Sequence, residues 1–194
     1  MEIINHFPAN YSVTTEVELP PSGQQVTHFN YRATQAPSHG LDGPLVRIEP
    51  ISAPPWLAVF GGGYAGSGIL DAIYTTPRPT IVCIVCRGAG YLVDAVNKIK
   101  EDVPTFPIRQ AVILNELLVF ADFTRLAAYG AAGIAWVSEP LVSDRLVVSA
   151  PSPEASFLTC RGLDAATQKE LEVEVDVYTG RVIGNPEGIR GIRD

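Results

Sequence analysis

Clustered positive charge is missing from this chain. Its 14 lysines and arginines are scattered among 21 acidic residues, and the net charge is −7. Phosphate binding needs grouped Lys and Arg, so this balance argues against a nucleic-acid partner. Neutral ligands or basic protein surfaces fit better. Long apolar runs are missing too. The longest uncharged stretch, residues 51–70, contains Pro54, Pro55 and several glycines and cannot form a membrane-spanning helix. The opening "MEIINHFPAN" lacks a basic region followed by an apolar one, so no secretory signal is expected. Cysteine is scarce. Three of them, an odd number, point to a reducing cytoplasm rather than a disulfide framework. His6, His28 and His39 lie far apart, and none sits beside a candidate nucleophile. Triads assemble in space, so distance alone does not exclude one, but the chain has no G-x-S-x-G elbow.

What the chain does have is a core. Hydrophobic residues make up 46% and charged ones 18%, which implies a folded protein, expected as one domain over residues 1–194. With 17 glycines and 16 prolines, short elements joined by turns are favoured over long helices.

Alternation along the chain argues for strands. In "YSVTTEVEL" Val13, Thr15, Val17 and Leu19 share one face, and Glu16 and Glu18 the other. "PPSG" supplies turn chemistry, and "QVTHFNYRAT" returns, so residues 11–34 read as a hairpin. Residues 35–55 read as a loop-rich linker, interrupted by one strand in "LVRIEPI".

The main sheet region, residues 56–184, follows. "PTIVCIVCRGAGYLVDAVN", "ELLVFADFTRLAAYGAAGIAWVS" and "ASFLTCRGLDAATQKELEVEVDVYTGRVIG" each read as strands separated by turns. Ile81, Leu118 and Phe157 occupy matching places, at a spacing close to that of a four-stranded unit. Periodicity leaves residues 107–118 open between a buried helix and strands; the β-branched and aromatic residues at 117–123 favour strands. The closing "GNPEGIRGIRD" reads as a flexible tail over 185–194.

The segments "LLVFADFTRLAAYGAAGIAWVS" and "VDVYTG" resemble a group of uncharacterised bacterial all-β proteins, whose matching segments have the form "lllFadftdl.AyG..GlaW.s" and "vDl.TG". The same "G…W" and "D…TG" pairs resemble strands of quinoprotein-type propeller blades. The likeness covers roughly residues 56–184 and implies a β-sheet fold. It carries no activity and no functional residue. The expected fold is mainly β: antiparallel meanders and hairpins in a β-sandwich or a partial propeller-like arrangement. Three loose units are too few to close a propeller, so a sandwich or association with another copy is favoured.

Four features are candidates for chemistry. Gly61, Gly63 and Gly66 in "WLAVFGGGYAGSG" have the G-x-G-x-x-G spacing that lets a backbone approach a pyrophosphate in NAD or FAD, with Arg87 available for a 2′-phosphate. The chemistry needs a helix after the loop. Gly68, the β-branched and aromatic "IYTT", and Pro77 with Pro79 argue against one, so a turn is the better reading. Cys83 and Cys86 form C-x-x-C inside an apolar strand, where positions three apart face opposite ways, so small buried hydrophobes are expected. Asp94 and Asp122 sit in apolar strands and are expected to accept backbone N–H bonds at strand ends. Glu172, Glu174 and Asp176 form an acidic row, neighbours about 6.6 Å apart, whose plain reading is a solvated outer face; acid–base chemistry, calcium binding and contact with a basic partner surface are its functional readings.

The expectation is therefore a non-enzymatic cytoplasmic protein that binds another protein, an accessory or immunity-like factor, with no cofactor or metal. The alternative is an NAD(P)- or FAD-binding oxidoreductase using the Gly61–Gly66 loop.

Overall fold

A computed structural model describes residues 1–18, 23, 25–31, 43–64, 66–149, 152 and 155–184. Among them the secondary structure is all strand and turn. The chain divides into two compact units, Met1–Pro107 and Ile108–Asp194.

The first unit contains β1 (Glu2–Ile4), β2 (Tyr11–Glu16), β3 (Val26–Phe29), β4 (Leu45–Pro50), β5 (Trp56–Phe60), β6 (Ala72–Thr75), β7 (Ile81–Cys86), β8 (Ala89–Asp94) and β9 (Lys100–Asp102). Two sheets result, ordered β2-β4-β5-β3 and β1-β6-β7-β8-β9. The strand β7, "IVCIVC", is a continuous apolar run rich in β-branched residues and buried on both faces, as a central strand requires. It turns into β8 through Arg87 and Gly88, both with positive φ (46° and 76°), between the paired Cys86 and Ala89. Positive φ at both central residues is the two-residue hairpin geometry whose twist matches the strands.

The expected hairpin at 11–34 is not formed. β2 runs antiparallel to β4, from Tyr11↔Pro50 to Glu16↔Leu45, while β3 runs parallel to β5 on the far side of the sheet. Tertiary burial overrides local turn chemistry here. The fully buried Val46 and Ile48 make β4 the stronger neighbour for β2, and Phe29 of β3 stacks on Phe60 of β5 at 5.3 Å. Val17, expected on the core face, is fully exposed just past the end of β2. Leu19, most of "PPSG" and the end of the return strand lie outside the described residues. In the expected linker, "LVRIEPI" does form a strand, β4.

The second unit contains β10 (Gln110–Leu114), β11 (Leu117–Ala121), β12 (Leu126–Gly130), β13 (Gly133–Val137), β14 (Asp144–Val148), β15 (Phe157–Asp164), β16 (Lys169–Asp176) and β17 (Val182–Gly184). They make two antiparallel meanders, β10-β11-β12-β13 and β14-β15-β16-β17. Residues 107–118 thus contain strands, not a helix. Ile81 opens β7, Phe157 opens β15 and Leu118 lies in β11; β7 is second in the antiparallel run β6-β7-β8-β9, and β11 and β15 are second in their meanders. The expected tail, 185–194, lies outside the described residues.

Each unit is a pair of sheets around its own core. In the first, Val46, Ile48, Ala58 and Phe60 meet Ile84, Tyr91 and Val93. In the second, Val119, Ala121 and Leu126 meet Leu146, Leu158, Val173 and Val175. Each fully buried side chain of this size contributes roughly 1.5–3 kcal/mol relative to exposure.

The same clamp recurs in both units. Trp56 donates its indole N–H to the Ala95 carbonyl, 39 residues on, at 2.8 Å. Trp136 donates to the Val177 carbonyl, 41 residues on, also at 2.8 Å. Each acceptor follows an aspartate that closes a turn. Asp94 Oδ1 accepts from the amides of Val96 and Asn97, and Asp176 Oδ1 from those of Tyr178 and Thr179. The backbone matches as well, with Lys98 N–H bonded to Asp94 O and Gly180 N–H to Asp176 O, both at 2.9 Å. The two units repeat one structural device.

Candidate functional site

The glycine loop bends back on the β7–β8 turn. Gly61 N–H donates to Phe29 O, Gly63 N–H to Cys86 O and Tyr64 N–H to Arg87 O, at 2.7–3.2 Å. The Tyr91 hydroxyl donates to Gly61 O at 2.7 Å. Three amides that a pyrophosphate would need are thus spent on protein carbonyls. β6 follows the loop, so no helix N-terminus stands behind it. A Cβ at Gly63 would lie 2.7 Å from both Arg87 O and the Phe106 ring, so close backbone approach accounts for this glycine. Arg87 lies in the β7–β8 turn, its side chain beside Gly62 and its amide donating to Asp71 Oδ1 at 3.2 Å. Gly66 packs beside the Tyr64 ring.

Cys83 and Cys86 are both buried in β7, and Cys160 is buried in β15. Burial in apolar surroundings raises all three thiol pKa values, Cys86 and Cys160 to about 12. They are small hydrophobes in place. Among the described residues, no group of three or more His, Cys, Asp or Glu is arranged to hold a metal ion. His6 and His28 are exposed; His39 lies outside the described residues.

Asp94 and Asp122 are turn-closing residues. Asp122 is buried, and its Oδ1 accepts from the amides of Thr124 and Arg125 and the Thr124 hydroxyl. Beside that turn, a groove of about 370 Å³ runs between Thr124, Leu141, Val142, Ser143, Asp164 and Leu171. Its polar groups serve the fold: Ser143 Oγ accepts from Ala165 N–H, and Asp164 binds Ala166 N–H and the Thr167 hydroxyl. Hydrogen bonds to its ionised form hold Asp164 below the usual carboxylate range.

The acidic row on β16 is divided by its neighbours. Glu172 lies opposite Arg161 on β15 and pairs with its guanidinium. Asp176 closes the β16–β17 turn, and the Thr179 hydroxyl and amide hold its pKa below the ordinary value. Glu174 differs. It lies opposite Thr159 on one side and Gly184 of β17 on the other, and its Oε2 would stand 2.9 Å from a Cβ at Gly184. The carboxylate therefore reaches over the outermost strand of the sheet.

At this end of the sheet stand exposed apolar side chains to which the sequence assigns no binding role. Tyr178, Val182 and Ile183 are 68%, 51% and 57% exposed, and Phe157, opposite Asp176, is 39% exposed. Scattered apolar residues at a surface are ordinary; these four gather around the β16–β17 turn, at one end of the sheet. The available signal was "RVIG", an apolar triplet after a turn, with no charge inside it.

No protein-family model matches the chain, and no curated protein matches it. Among the described residues, no helix is long and apolar enough to cross a membrane.

Proposed function

We propose that this chain is a non-enzymatic cytoplasmic binding protein that acts through contact with another protein, as an accessory or immunity-like factor. The carrying observation is the exposure of Phe157, Tyr178, Val182 and Ile183 around the β16–β17 turn, with the Glu174 carboxylate reaching Gly184 of β17. Aromatic and aliphatic anchors with a charge at their rim are the makings of a protein interface. The net charge of −7 favours a partner with a basic surface, because opposite charge raises the association rate. Three buried free thiols suit a reducing compartment.

Affinity purification of the tagged full chain from its native host, over a series of salt concentrations, tests the reading. A partner should co-elute at low salt, be identified by mass spectrometry, and rebind when both proteins are purified. A chain that emerges alone at every salt concentration removes the reading.

A further inference from the structure

The outer strands of these sheets are not protected alike. β9 consists of Lys100, Glu101 and Asp102, with Lys100 and Asp102 ion-paired, so charge blocks the approach of another strand. β17 is Val182, Ile183 and Gly184, ends the order β14-β15-β16-β17, and presents two exposed apolar side chains. Its three residues include neither lysine nor proline, and the exposed Arg181 stands just before it. Among the described residues it pairs with β16 alone, at Glu174↔Gly184 and Val175↔Val182, with a register irregularity between them.

We propose that β17 is a docking edge for an extended segment of a partner protein, with alternating apolar and Lys or Arg side chains. The segment adds as a fifth strand to the sheet β14-β15-β16-β17. Main-chain hydrogen bonds along β17 hold it, and alternate side chains give specificity. Val182, Ile183 and Tyr178 supply the apolar contact. Glu174, whose carboxylate reaches over Gly184, meets the cation. Charge complementarity selects this occupant. Glu172 is already paired with Arg161 and Asp176 is used by its turn, so Glu174 is the member of the row placed to answer a basic residue at the edge. The inference rests on the protein-binding reading and adds the surface and the chemistry of the partner segment.

The test uses the full chain and two synthetic peptides, one alternating valine and lysine, the other valine and glutamate. Hydrogen exchange and a binding titration are read on wild type, Glu174→Gln and Ile183→Lys. Ile183 lies on β17 and Glu174 on its neighbour β16, and unchanged denaturation midpoints establish that the variants fold. The valine–lysine peptide should slow exchange at Arg181–Gly184 and bind more tightly as salt is lowered. Glu174→Gln should weaken it about threefold, the size of an exposed ion pair. Ile183→Lys, which copies the protection of β9, should abolish it. Equal binding of the valine–glutamate peptide, protection elsewhere or no binding overturns the proposal, as does protection, already present in the isolated protein, of the β17 amides that face away from β16. A host partner retained by both variants removes this surface while leaving the protein-binding reading intact.

Discussion

Trp136 is seated directly on Gly180. A Cβ built at Gly180 would fall 2.4 Å from Cε3 of the indole, whose N–H bonds the Val177 carbonyl in the same turn. Gly180 also has φ +69°, a conformation glycine reaches without a Cβ penalty. In the equivalent turn of the first unit Lys98 has φ 58°, and its ammonium stands 5.3 Å from the Trp56 ring centroid. One clamp excludes a side chain, and the other lays a cation over the ring.

Gly180→Ala should therefore destabilise the second unit by roughly 1–3 kcal/mol, from left-handed strain and the clash with the indole. Lys98→Gly should change stability by no more than about 1 kcal/mol, because relief of strain offsets the lost cation–π contact and added chain entropy. Urea denaturation followed by tryptophan fluorescence compares the two. Equal effects would show that the Trp136–Gly180 contact does not bear on stability.

Removal of the indole donor should matter as well. Trp136→Phe keeps a ring on Gly180 but leaves the Val177 carbonyl unpaired, at a cost of about 1–3 kcal/mol. Trp56→Phe should act similarly through Ala95. Denaturant midpoints read both, and a neutral result in either variant removes the clamp from the list of stabilising contacts.

Asp164 and Asp176 give a pH signature. Their folded pKa values lie below the ordinary aspartate value of about 3.9, which also describes the unfolded chain. Their contribution is thus complete above that value and is lost as pH falls through the folded pKa values. The double variant Asp164→Asn/Asp176→Asn should be less stable than wild type near neutrality, and the two curves should converge in acid. Parallel curves down to the lowest pH reached would contradict the assignment.

The thiols should be silent in the folded protein. With Cys83, Cys86 and Cys160 buried and their pKa values raised, a thiol reagent at pH 8 should label none of them quickly, and all three after denaturation. Rapid labelling of Cys86 in the folded state would reopen C-x-x-C chemistry.

Addition of NAD, NADP or FAD should leave the melting temperature unchanged, because the amides of Gly61, Gly63 and Tyr64 are already bonded to carbonyls. Gly63→Ala should lower it, since the new methyl meets Arg87 O and the Phe106 ring. Stabilisation by a nucleotide would revive the oxidoreductase.

Strands with a strong pattern were legible from the sequence. The apolar run of β7 and the alternation of Leu171, Val173, Val175 and Val177 define their elements without help from the rest of the chain. The matching places of Ile81 and Phe157 also showed through, because each opens the second strand of a meander. What failed is long-range. β2 and β3 look like a hairpin because they are neighbours in sequence, but β4 and β5 offer them better apolar faces. The two clamps join residues some forty positions apart through a carbonyl, and a carbonyl has no sequence signature. At the acidic row, alternation gave the face, whereas the roles of its members depend on Arg161, Thr179 and Gly184 across the turns and strands. The β17 patch was hidden in a triplet too short to read.

One measurement bears most directly on the proposed function. Hydrogen exchange should be followed on the full chain, free and in complex with the partner recovered from its host. The account predicts that protection on binding concentrates on Arg181–Gly184 and the adjoining residues of β16, and weakens in Glu174→Gln. Binding without protection at β17, or the same protection in Glu174→Gln as in wild type, would contradict it.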